Sequence, residues 1–262
     1  PSFEGIRVLG SQWSPQSFSV EEFLSRNSIP YEWVDVDQDA QGRSLAESIT
    51  GDATQLPVVL FPDGSHLVAP TTSALATKAG LHTHASRPFY DVVVVGGGPA
   101  GLANAVYAAS EGLRTVLVES EAAGGQAGTS SMIENYLGFP NGVTGADLAQ
   151  RATMQARKFG AELLTGQEVV GLRRDDPYRL VVLGDGTELS AYTVVITTGM
   201  SARTLEAPGV EKFNGRGVYY GSAMTEAARC RGKEITIVGG ANSAGQGALF
   251  FSRYASRVTM LI

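Results

Sequence analysis

Tyr90-Asp91-Val92-Val93-Val94-Val95-Gly96-Gly97-Gly98-Pro99-Ala100-Gly101 is the stretch of sequence that decides the fold. An almost wholly apolar run leads directly into a glycine-rich turn, and small residues with helical spacing follow over residues 102–110. Such a run is typical of a parallel strand that is buried on both faces. In this spacing Gly96 makes the tight turn, Gly98 lets a pyrophosphate approach the backbone, and Gly101 lets the helix pack closely on the strand. The sequence therefore predicts a strand–turn–helix unit that binds a dinucleotide at the helix N-terminus.

A second strand and an acidic residue extend this pattern. Residues 114–118 are predicted to form a strand that ends at Glu119. A ribose-binding carboxylate is expected roughly 20 residues after the glycine turn, which is where Glu119 lies. Further strands are predicted over residues 181–183 and 194–197, and the second leads into Thr198-Gly199.

Gly239-Gly240-Ala241-Asn242-Ser243-Ala244 is a second turn of the same kind. Strands are predicted over residues 235–238 and 258–262, with a helix over residues 244–254 between them. Ala241 stands where the pattern has its second glycine, so a methyl group lies where a pyrophosphate would approach. We therefore expect nucleotide binding at this turn to be shifted or weakened.

Residues 1–86 alternate between strand and helix patterns. Strands are predicted over residues 6–9, 31–36, 57–61 and 66–68, and helices over residues 17–27, 45–49 and 73–79. Residues 81–88 are polar and aperiodic, which predicts a linker. His82 and His84 are assigned to this linker, because two histidines without a third ligand nearby do not make a metal site. The order of elements resembles the glutaredoxin and thioredoxin fold.

Ser14-Pro15-Gln16-Ser17 occupies the place where that fold carries its redox-active Cys-Pro-x-Cys. A serine hydroxyl does not exchange disulfides, so the resemblance implies a module without redox chemistry that serves docking or regulation. The fold also places a cis-proline before its third strand, which matches Leu56-Pro57. The alternative is an ordinary small α/β domain in which Ser14 and Ser17 cap a helix.

The composition of the chain limits the classes of partner that it can bind and the cellular compartment that it fits. The net charge of −6 argues against nucleic acid and against an anionic membrane surface. No apolar run approaches the roughly 20 residues that span a bilayer, and no signal-peptide pattern opens the sequence. A single cysteine, Cys230, fits a reducing compartment. We predict a cytoplasmic protein with no metal, no nucleic-acid partner and no membrane partner.

Four further stretches are similar to the low-molecular-weight thioredoxin reductase family: residues 124–126, 133–140, 145–148 and 155–160. The resemblance implies FAD at the first turn, NAD(P)H at the second, and a homodimer. It also implies that Glu119 holds the adenosine ribose and that Gln126, Ser130 and Asn135 approach the flavin. The predicted FAD contacts are Gly96, Gly98, Pro99, Ala100, Gly101, Glu119, Gly124, Gly125, Gln126, Ser130, Asn135, Thr198 and Gly199. The predicted NAD(P)H contacts are Gly239, Ala241, Asn242, Ser243 and Ala244.

The same resemblance locates the positions of the family's redox cysteines. Residues 215–220 resemble the approach to its Cys-Ala-Thr-Cys, so Gly221 and Met224 stand at the two cysteine positions. Cys230 aligns with neither and is expected to be a lone thiol in or near a helix, with an intermolecular disulfide as the alternative. No acid, base or nucleophile stands out as a catalytic residue.

The predicted fold is α/β in three parts. A thioredoxin-like module covers residues 1–86, a three-layer (ββα) FAD-binding Rossmann-like domain covers residues 89–204, and a partial NAD(P)-binding Rossmann-like domain covers residues 205–262. The family's returning segment, which completes the FAD site, is not within these residues. We therefore expect the chain to be part of a longer protein.

Three functions follow as hypotheses. The first is an FAD-dependent oxidoreductase that passes electrons from NAD(P)H to an unidentified external acceptor, such as a partner's disulfide, a small carrier, a quinone or oxygen. The second is a redox-inactive flavin- or nucleotide-binding sensor or docking protein. The third, a peroxiredoxin-reducing flavoprotein, ranks last because it needs two cysteine pairs.

Overall fold

The computed structural model describes residues 5–52, 55–200, 203–221 and 224–262, with the backbone alone at residues 224 and 225. The chain forms two compact units. The first comprises Pro1–Thr71 with Ala202–Ile262, and the second comprises Thr72–Ser201. This division differs from the predicted domain limits because the helix that begins at Thr72 belongs to the second unit. The three predicted domains stay a prediction.

The regular elements follow in chain order. The strands are β1 (Ile6–Gly10), β2 (Tyr31–Asp35), β3 (Val58–Leu60), β4 (His66–Val68), β5 (Phe89–Val95), β6 (Thr115–Glu119), β7 (Glu162–Thr165), β8 (Val169–Asp175), β9 (Tyr178–Leu183), β10 (Glu188–Ile196), β11 (Glu234–Val238) and β12 (Arg257–Leu261). The helices are α1 (Pro15–Arg26), α2 (Ala40–Thr50), α3 (Thr72–Lys78), α4 (Pro99–Ser110), α5 (Gly145–Lys158), α6 (Met224–Cys230) and α7 (Asn242–Phe251). Two short 3-10 helices cover Gly125–Thr129 and Val210–Phe213.

In the first unit, β1 to β4 form a four-stranded sheet in the order β2-β1-β3-β4. β1 pairs in parallel with β2 and antiparallel with β3, and β3 pairs antiparallel with β4. Apolar side chains from the strands and α2 build its core: Leu9, Val34, Val36, Ala46 and Val58. The Leu56–Pro57 peptide bond before β3 is cis, as the resemblance implies.

The two serines of residues 14–17 have different environments at the start of α1. The Ser14 hydroxyl accepts a hydrogen bond from the Ser17 amide at 3.2 Å, so Ser14 caps the helix as the alternative interpretation predicts. The prediction that Ser17 also caps the helix is wrong. Ser17 lies within the first turn of α1, and its hydroxyl is buried without a hydrogen-bond partner among the described residues.

The remainder of the first unit contains a two-stranded parallel sheet. β11 pairs with β12 over residues 234–238 and 257–261, and α7 connects the two strands. This βαβ order is the one that the second glycine turn predicts.

The second unit is a six-stranded sheet in the order β7-β6-β5-β10-β9-β8. β7, β6, β5 and β10 run in parallel, and β10, β9 and β8 form an antiparallel meander. One core contains residues of α4 and α5 against the parallel strands, including Val94, Leu102 and Ala156. A second core joins the parallel strands to the meander, including Val116, Val181 and Leu189.

The predicted linker lies along this second sheet. The Thr165 amide donates to the His82 carbonyl at 2.9 Å, and the Ser190 amide donates to the Pro88 carbonyl at 2.9 Å. Linker residues therefore hydrogen-bond to β7 and β10. No helix in the described part of the chain is long and apolar enough to cross a bilayer.

Candidate functional site

The first glycine turn joins β5 to α4 in the conformation that its glycines require. Gly96 has a φ of 103° and donates its amide to the Val118 carbonyl at 2.8 Å, which ties the turn to the end of β6. A Cβ added at Gly96 would overlap the Thr197 carbonyl, and one added at Gly101 would overlap the Gly96 carbonyl. Both positions therefore exclude a side chain because the backbone itself fills the space.

Gly98 differs from these two glycines. A Cβ added there would meet no atom within 4 Å, so open space lies beside the backbone at the start of α4. Gly98 is the N-cap residue of this 12-residue helix, and no side-chain hydrogen bond caps it among the described residues. Uncapped amides at a helix N-terminus attract a negatively charged group. The turn therefore fits the pyrophosphate of a dinucleotide.

Glu119 lies beside this turn, at the end of β6. Its carboxylate accepts hydrogen bonds from the Gly97 amide at 2.6 Å and from the Glu121 amide at 2.8 Å. These bonds hold a buried acidic group against the glycine turn. The predicted contact between Glu119 and a ribose stays a prediction.

The predicted stretch 124–126 also contacts the first turn. The Gly124 amide donates to the Gly97 carbonyl at 2.8 Å, and a Cβ added at Gly125 would lie 3.1 Å from the Gly98 Cα. Ser130 follows the 3-10 helix that Gly125 begins, and its carbonyl accepts the Gly145 amide at 2.9 Å. Gly124, Gly125 and the glycine turn are therefore in direct contact.

The other predicted flavin contacts are more exposed. Gln126 is exposed in the 3-10 helix, Asn135 is exposed on the loop that follows it, and Thr198 and Gly199 are exposed after β10. Thr198 lies next to the turn, because a Cβ added at Gly96 would lie 3.2 Å from the Thr198 Cα. The roles of Gln126 and Asn135 stay predictions.

Thr197 is a residue of the turn that was not among the predicted site residues. Its hydroxyl donates to the carbonyls of Val95 and Gly96, with distances of 3.0 and 2.9 Å. Hydrogen bonds from this hydroxyl therefore link the end of β10 to the end of β5 and to the first residue of the turn. A threonine that ends a strand before Thr198-Gly199 was the available signal.

An apolar cavity of about 370 Å³ borders the turn at Pro99 and Gly124. It lies between α4 and α5, and its aromatic wall includes Tyr136 and Phe139. Both aromatic residues fall in the 133–140 stretch that carries the family resemblance, but neither was predicted to have a role.

The second glycine turn follows the same backbone path. The Gly239 amide donates to the Leu261 carbonyl at 2.8 Å, as Gly96 does to the end of its neighbouring strand. Ala241 is the N-cap of α7, with φ −94° and ψ 175°, close to the φ −68° and ψ 179° of Gly98. Its methyl group therefore stands at the position that is open at Gly98. Asn242, Ser243 and Ala244 form the first turn of α7.

Residues 90–262 match the family described as pyridine nucleotide-disulphide oxidoreductase. The chain belongs to this family. The family implies FAD and a pyridine nucleotide as the two cofactors, and the first turn fits FAD by the open space at Gly98 and the uncapped start of α4. The N-terminal module of residues 5–71 lies outside the matched segment.

Relatives within the family include thioredoxin reductases. The chain is 38% identical over 177 residues to the "Bifunctional thioredoxin reductase/thioredoxin" of Mycobacterium leprae, covering 68% of this chain and 38% of the relative. It is 36% identical over 174 residues to the thioredoxin reductase of Bacillus subtilis, covering 66% of this chain and 53% of the relative. The chain thus spans about half or less of the length of these relatives.

Among solved structures, the thioredoxin reductase of Lactococcus lactis (FR conformation) is similar with a TM-score of 0.61 and 34% identity. The similarity covers 65% of this chain and 55% of that one. This neighbour and the family match confirm an α/β fold with a Rossmann-like FAD-binding domain, as predicted.

The two positions that the resemblance predicts for the family's redox cysteines lie near the start of α6. Gly221 is exposed before the helix, and Met224 is its first residue. Cys230 ends α6 as a half-buried free thiol, and burial raises its pKa. No group of three or more His, Cys, Asp or Glu residues within the described ranges could hold a metal.

Proposed function

We propose that the protein is an FAD-dependent oxidoreductase in which bound FAD takes a hydride from NAD(P)H and passes electrons to an acceptor outside this chain. The observation that supports this most is the first glycine turn. Gly96 and Gly101 are sterically obligatory, while Gly98 faces open space at an uncapped helix N-terminus.

The residues around this turn would bind and orient the flavin nucleotide. The amides at the start of α4 would hold the pyrophosphate near Gly98, Pro99 and Ala100, and the fixed carboxylate of Glu119 would hold a ribose hydroxyl. The remaining proposed FAD contacts are Gly124, Gly125, Gln126, Ser130, Asn135, Thr198 and Gly199. The proposed NAD(P)H contacts are Gly239, Ala241, Asn242, Ser243 and Ala244.

The N-terminal module is proposed to be thioredoxin-like and without redox chemistry of its own. The sheet order β2-β1-β3-β4 and the helix that starts after β1 support the assignment. Ser14 and Ser17 stand at the redox positions, and a hydroxyl does not exchange disulfides. We propose that this module serves docking.

The electron acceptor is proposed to lie on another molecule. These 262 residues hold one cysteine, so they form no internal disulfide, and Gly221 and Met224 stand at the family positions. A protein acceptor fits the relatives, whose names place them with thioredoxin. A homodimer is proposed from the family resemblance, and a cytoplasmic location is proposed from the single cysteine, which fits a reducing compartment.

A redox-inactive sensor or docking protein is the second candidate. It is favoured by the loss of sulfur at both pairs of positions, Ser14 with Ser17 and Gly221 with Met224. In this case flavin binding would set a conformation, and NAD(P)H would not reduce the flavin.

Anaerobic stopped-flow absorbance separates the two candidates. The protein with bound FAD is mixed with NADPH and, separately, with NADH, and the visible flavin band is followed. We expect rapid bleaching with at least one of the two nucleotides. A flavin that stays oxidised with both would overturn the oxidoreductase and leave the sensor.

Replacing Ala241 by glycine is expected to strengthen pyridine-nucleotide binding. The change removes the methyl group from the position that is open at Gly98, and the φ of −94° suits glycine as well as alanine. We expect the Kd for NAD(P)H to fall by roughly tenfold, or about 1.4 kcal/mol. Isothermal titration calorimetry measures the Kd. Ala248→Gly, in the same helix, is the matched control. An unchanged Kd would show that Ala241 does not obstruct the nucleotide.

A further inference from the structure

One side of α1 and a neighbouring ring form a surface of the N-terminal module, which is called the α1 face below. Pro15, Phe18 and Glu21 follow one another at intervals of three residues, so they form one stripe along the helix. The ring of Trp33, on β2, completes the surface. A Cβ added at Gly10 would lie 2.6 Å from this ring, so the glycine on β1 leaves room for it. The α1 face thus consists of Pro15, Phe18, Glu21 and Trp33.

The side chain of Arg229, on α6, is enclosed by this face. Its Nη2 donates to Oε1 of Glu21 at 2.9 Å, and its Nη1 donates to the carbonyl of Gln12. The guanidinium carbon lies 5.2 Å from the ring centre of Phe18 and 5.7 Å from that of Trp33. The side chains of Arg229 and Glu21 are only 8% and 9% exposed. One arginine from outside the module therefore reaches four of its groups.

The chain before α6 packs on the same face. The ring centres of Phe18 and Tyr219 lie 5.0 Å apart. A Cβ added at Gly215 would lie 3.2 Å from the Cα of Pro15, so the backbone here meets the first turn of α1 directly. Residues 215–230, which are called the α6 segment below, thus contact the α1 face along its length.

Both partners of this interface carry positions at which a resemblance predicts redox cysteines. The α1 face begins within residues 14–17, which stand in the place of the Cys-Pro-x-Cys of the thioredoxin fold. The α6 segment contains Gly221 and Met224, at the two cysteine positions of the reductase family. Tyr219 precedes these two positions and Arg229 follows them, and both contact the face. The two stretches in which this chain lacks sulfur therefore belong to surfaces that pack on each other.

We propose that the α6 segment is the permanent partner of the α1 face, so that each closes the other to thioredoxin-fold proteins outside the chain. Both partners belong to the same compact unit of one chain. Their contact costs no translational freedom, whereas an outside competitor would lose it on binding. The packing does not rest on the proposed function. Its consequence for that function is that an external acceptor docks on a different surface.

The chemistry of the interface explains why a competitor is excluded. An outside protein could reach the α1 face only after Arg229 had left it. The competitor would then have to supply an equivalent cation for Glu21, because a buried carboxylate that has lost its partner is strongly unfavourable. It would also have to replace the contacts of the Phe18 ring with Tyr219 and with the guanidinium.

Modification of arginines by phenylglyoxal tests the closed interface in the unaltered protein. Burial raises the pKa of Glu21 to about 7, against the lowering effect of Arg229, so pH 8 keeps this carboxyl ionised. Arg231, which is exposed and lies two residues further on, is the internal control. We expect Arg229 to be modified at least about 100-fold more slowly than Arg231, because its reaction requires local opening. Mass spectrometry of the peptides at timed intervals measures both rates.

Phe18→Leu is expected to increase the rate of modification of Arg229 by about tenfold. The substitution removes the ring that contacts both Tyr219 and Arg229, and a leucine keeps the position apolar. Ser19→Ala, at the exposed neighbouring residue, is the matched control and should leave the rate unchanged.

Arg229→Ala is expected to destabilise the module, although the substituted residue lies outside it. The two tryptophans of the chain, Trp13 and Trp33, both belong to the module, so their fluorescence reports its unfolding. At pH 8 the equilibrium constant for unfolding in urea should rise at least about 100-fold, because Glu21 stays buried without its partner. Arg231→Ala is the matched control and should leave the transition in place.

Two results would overturn the closed interface. The first is equal rates of modification at Arg229 and Arg231. The second is a tryptophan transition in Arg229→Ala that coincides with that of Arg231→Ala. If Arg229→Ala does not fold, the Phe18→Leu and Ser19→Ala proteins decide the question, and equal rates at Arg229 in these two would contradict the proposal. None of these measurements involves electron transfer, so their failure would leave flavin reduction by NAD(P)H untouched.

Discussion

Gly101→Ala is expected to lower the free energy of unfolding by about 3 kcal/mol and to abolish flavin binding. The added Cβ would overlap the Gly96 carbonyl and lie 2.7 Å from the Thr197 hydroxyl. Neither neighbour can yield easily, because the carbonyl is backbone and the hydroxyl is hydrogen-bonded to Val95 and Gly96. Urea unfolding measures the loss of stability, and the flavin content of the purified protein measures binding.

Gly98→Ala is the matched control for this substitution. The φ of −68° suits alanine and the added methyl group meets open space, so the stability should change by no more than about 1 kcal/mol. Flavin content should nevertheless fall, because the methyl group lies on the side that the pyrophosphate approaches. Equal losses of stability in the two variants would contradict the assignment of separate steric roles to Gly98 and Gly101.

Glu162→Gln is expected to lower the free energy of unfolding by about 2–3 kcal/mol, as loss of several hydrogen bonds to a charged group does. The Glu162 carboxylate accepts from His82 Nε2 at 2.7 Å, from the Ser86 amide at 2.6 Å and hydroxyl at 2.8 Å, and from the Tyr90 hydroxyl at 2.5 Å. An amide oxygen cannot serve all four donors, and Tyr90 is buried. Urea unfolding at neutral pH measures the effect.

The control is Glu188→Gln, at an exposed pair with Arg173, which should cost less than about 1 kcal/mol. The pH dependence gives a second check. Burial by itself would raise the pKa of Glu162, but the hydrogen bonds from Tyr90, His82 and Ser86 lower it overall. This stabilisation is therefore present above pH 4.5 and is lost as the pH falls through the lowered pKa. If the free energy of unfolding fell equally with decreasing pH in the parent and in the Glu162→Gln protein, this account would be contradicted.

The sequence predicted the elements whose cause is local. The apolar run that becomes β5 and the glycine turn were predictable, because the residue pattern that specifies a buried strand and a close helix approach lies within residues 90–101. The Ser14 cap was also predictable from the residue type and its position before a helix.

Elements at the sheet edge were harder to predict. β7 is a four-residue strand, and β8 is mostly exposed and contains Gly171, so neither shows a clear period. Interactions between distant residues left no signal at all. Arg229 meets Glu21 across 208 positions, and Glu162 meets Tyr90 across 72. Packing of the folded chain creates such pairs, and no local pattern specifies them.

The single cysteine of these 262 residues gives the molecule one natural attachment point. A nitroxide or fluorescent maleimide would join at Cys230, the residue next to Arg229, without any engineered background. Because burial raises the pKa of this thiol, alkylation is slow while α6 stays packed and faster wherever the helix separates from its surroundings. The rate of labelling at this one sulfur atom therefore reports directly on motion at the end of α6.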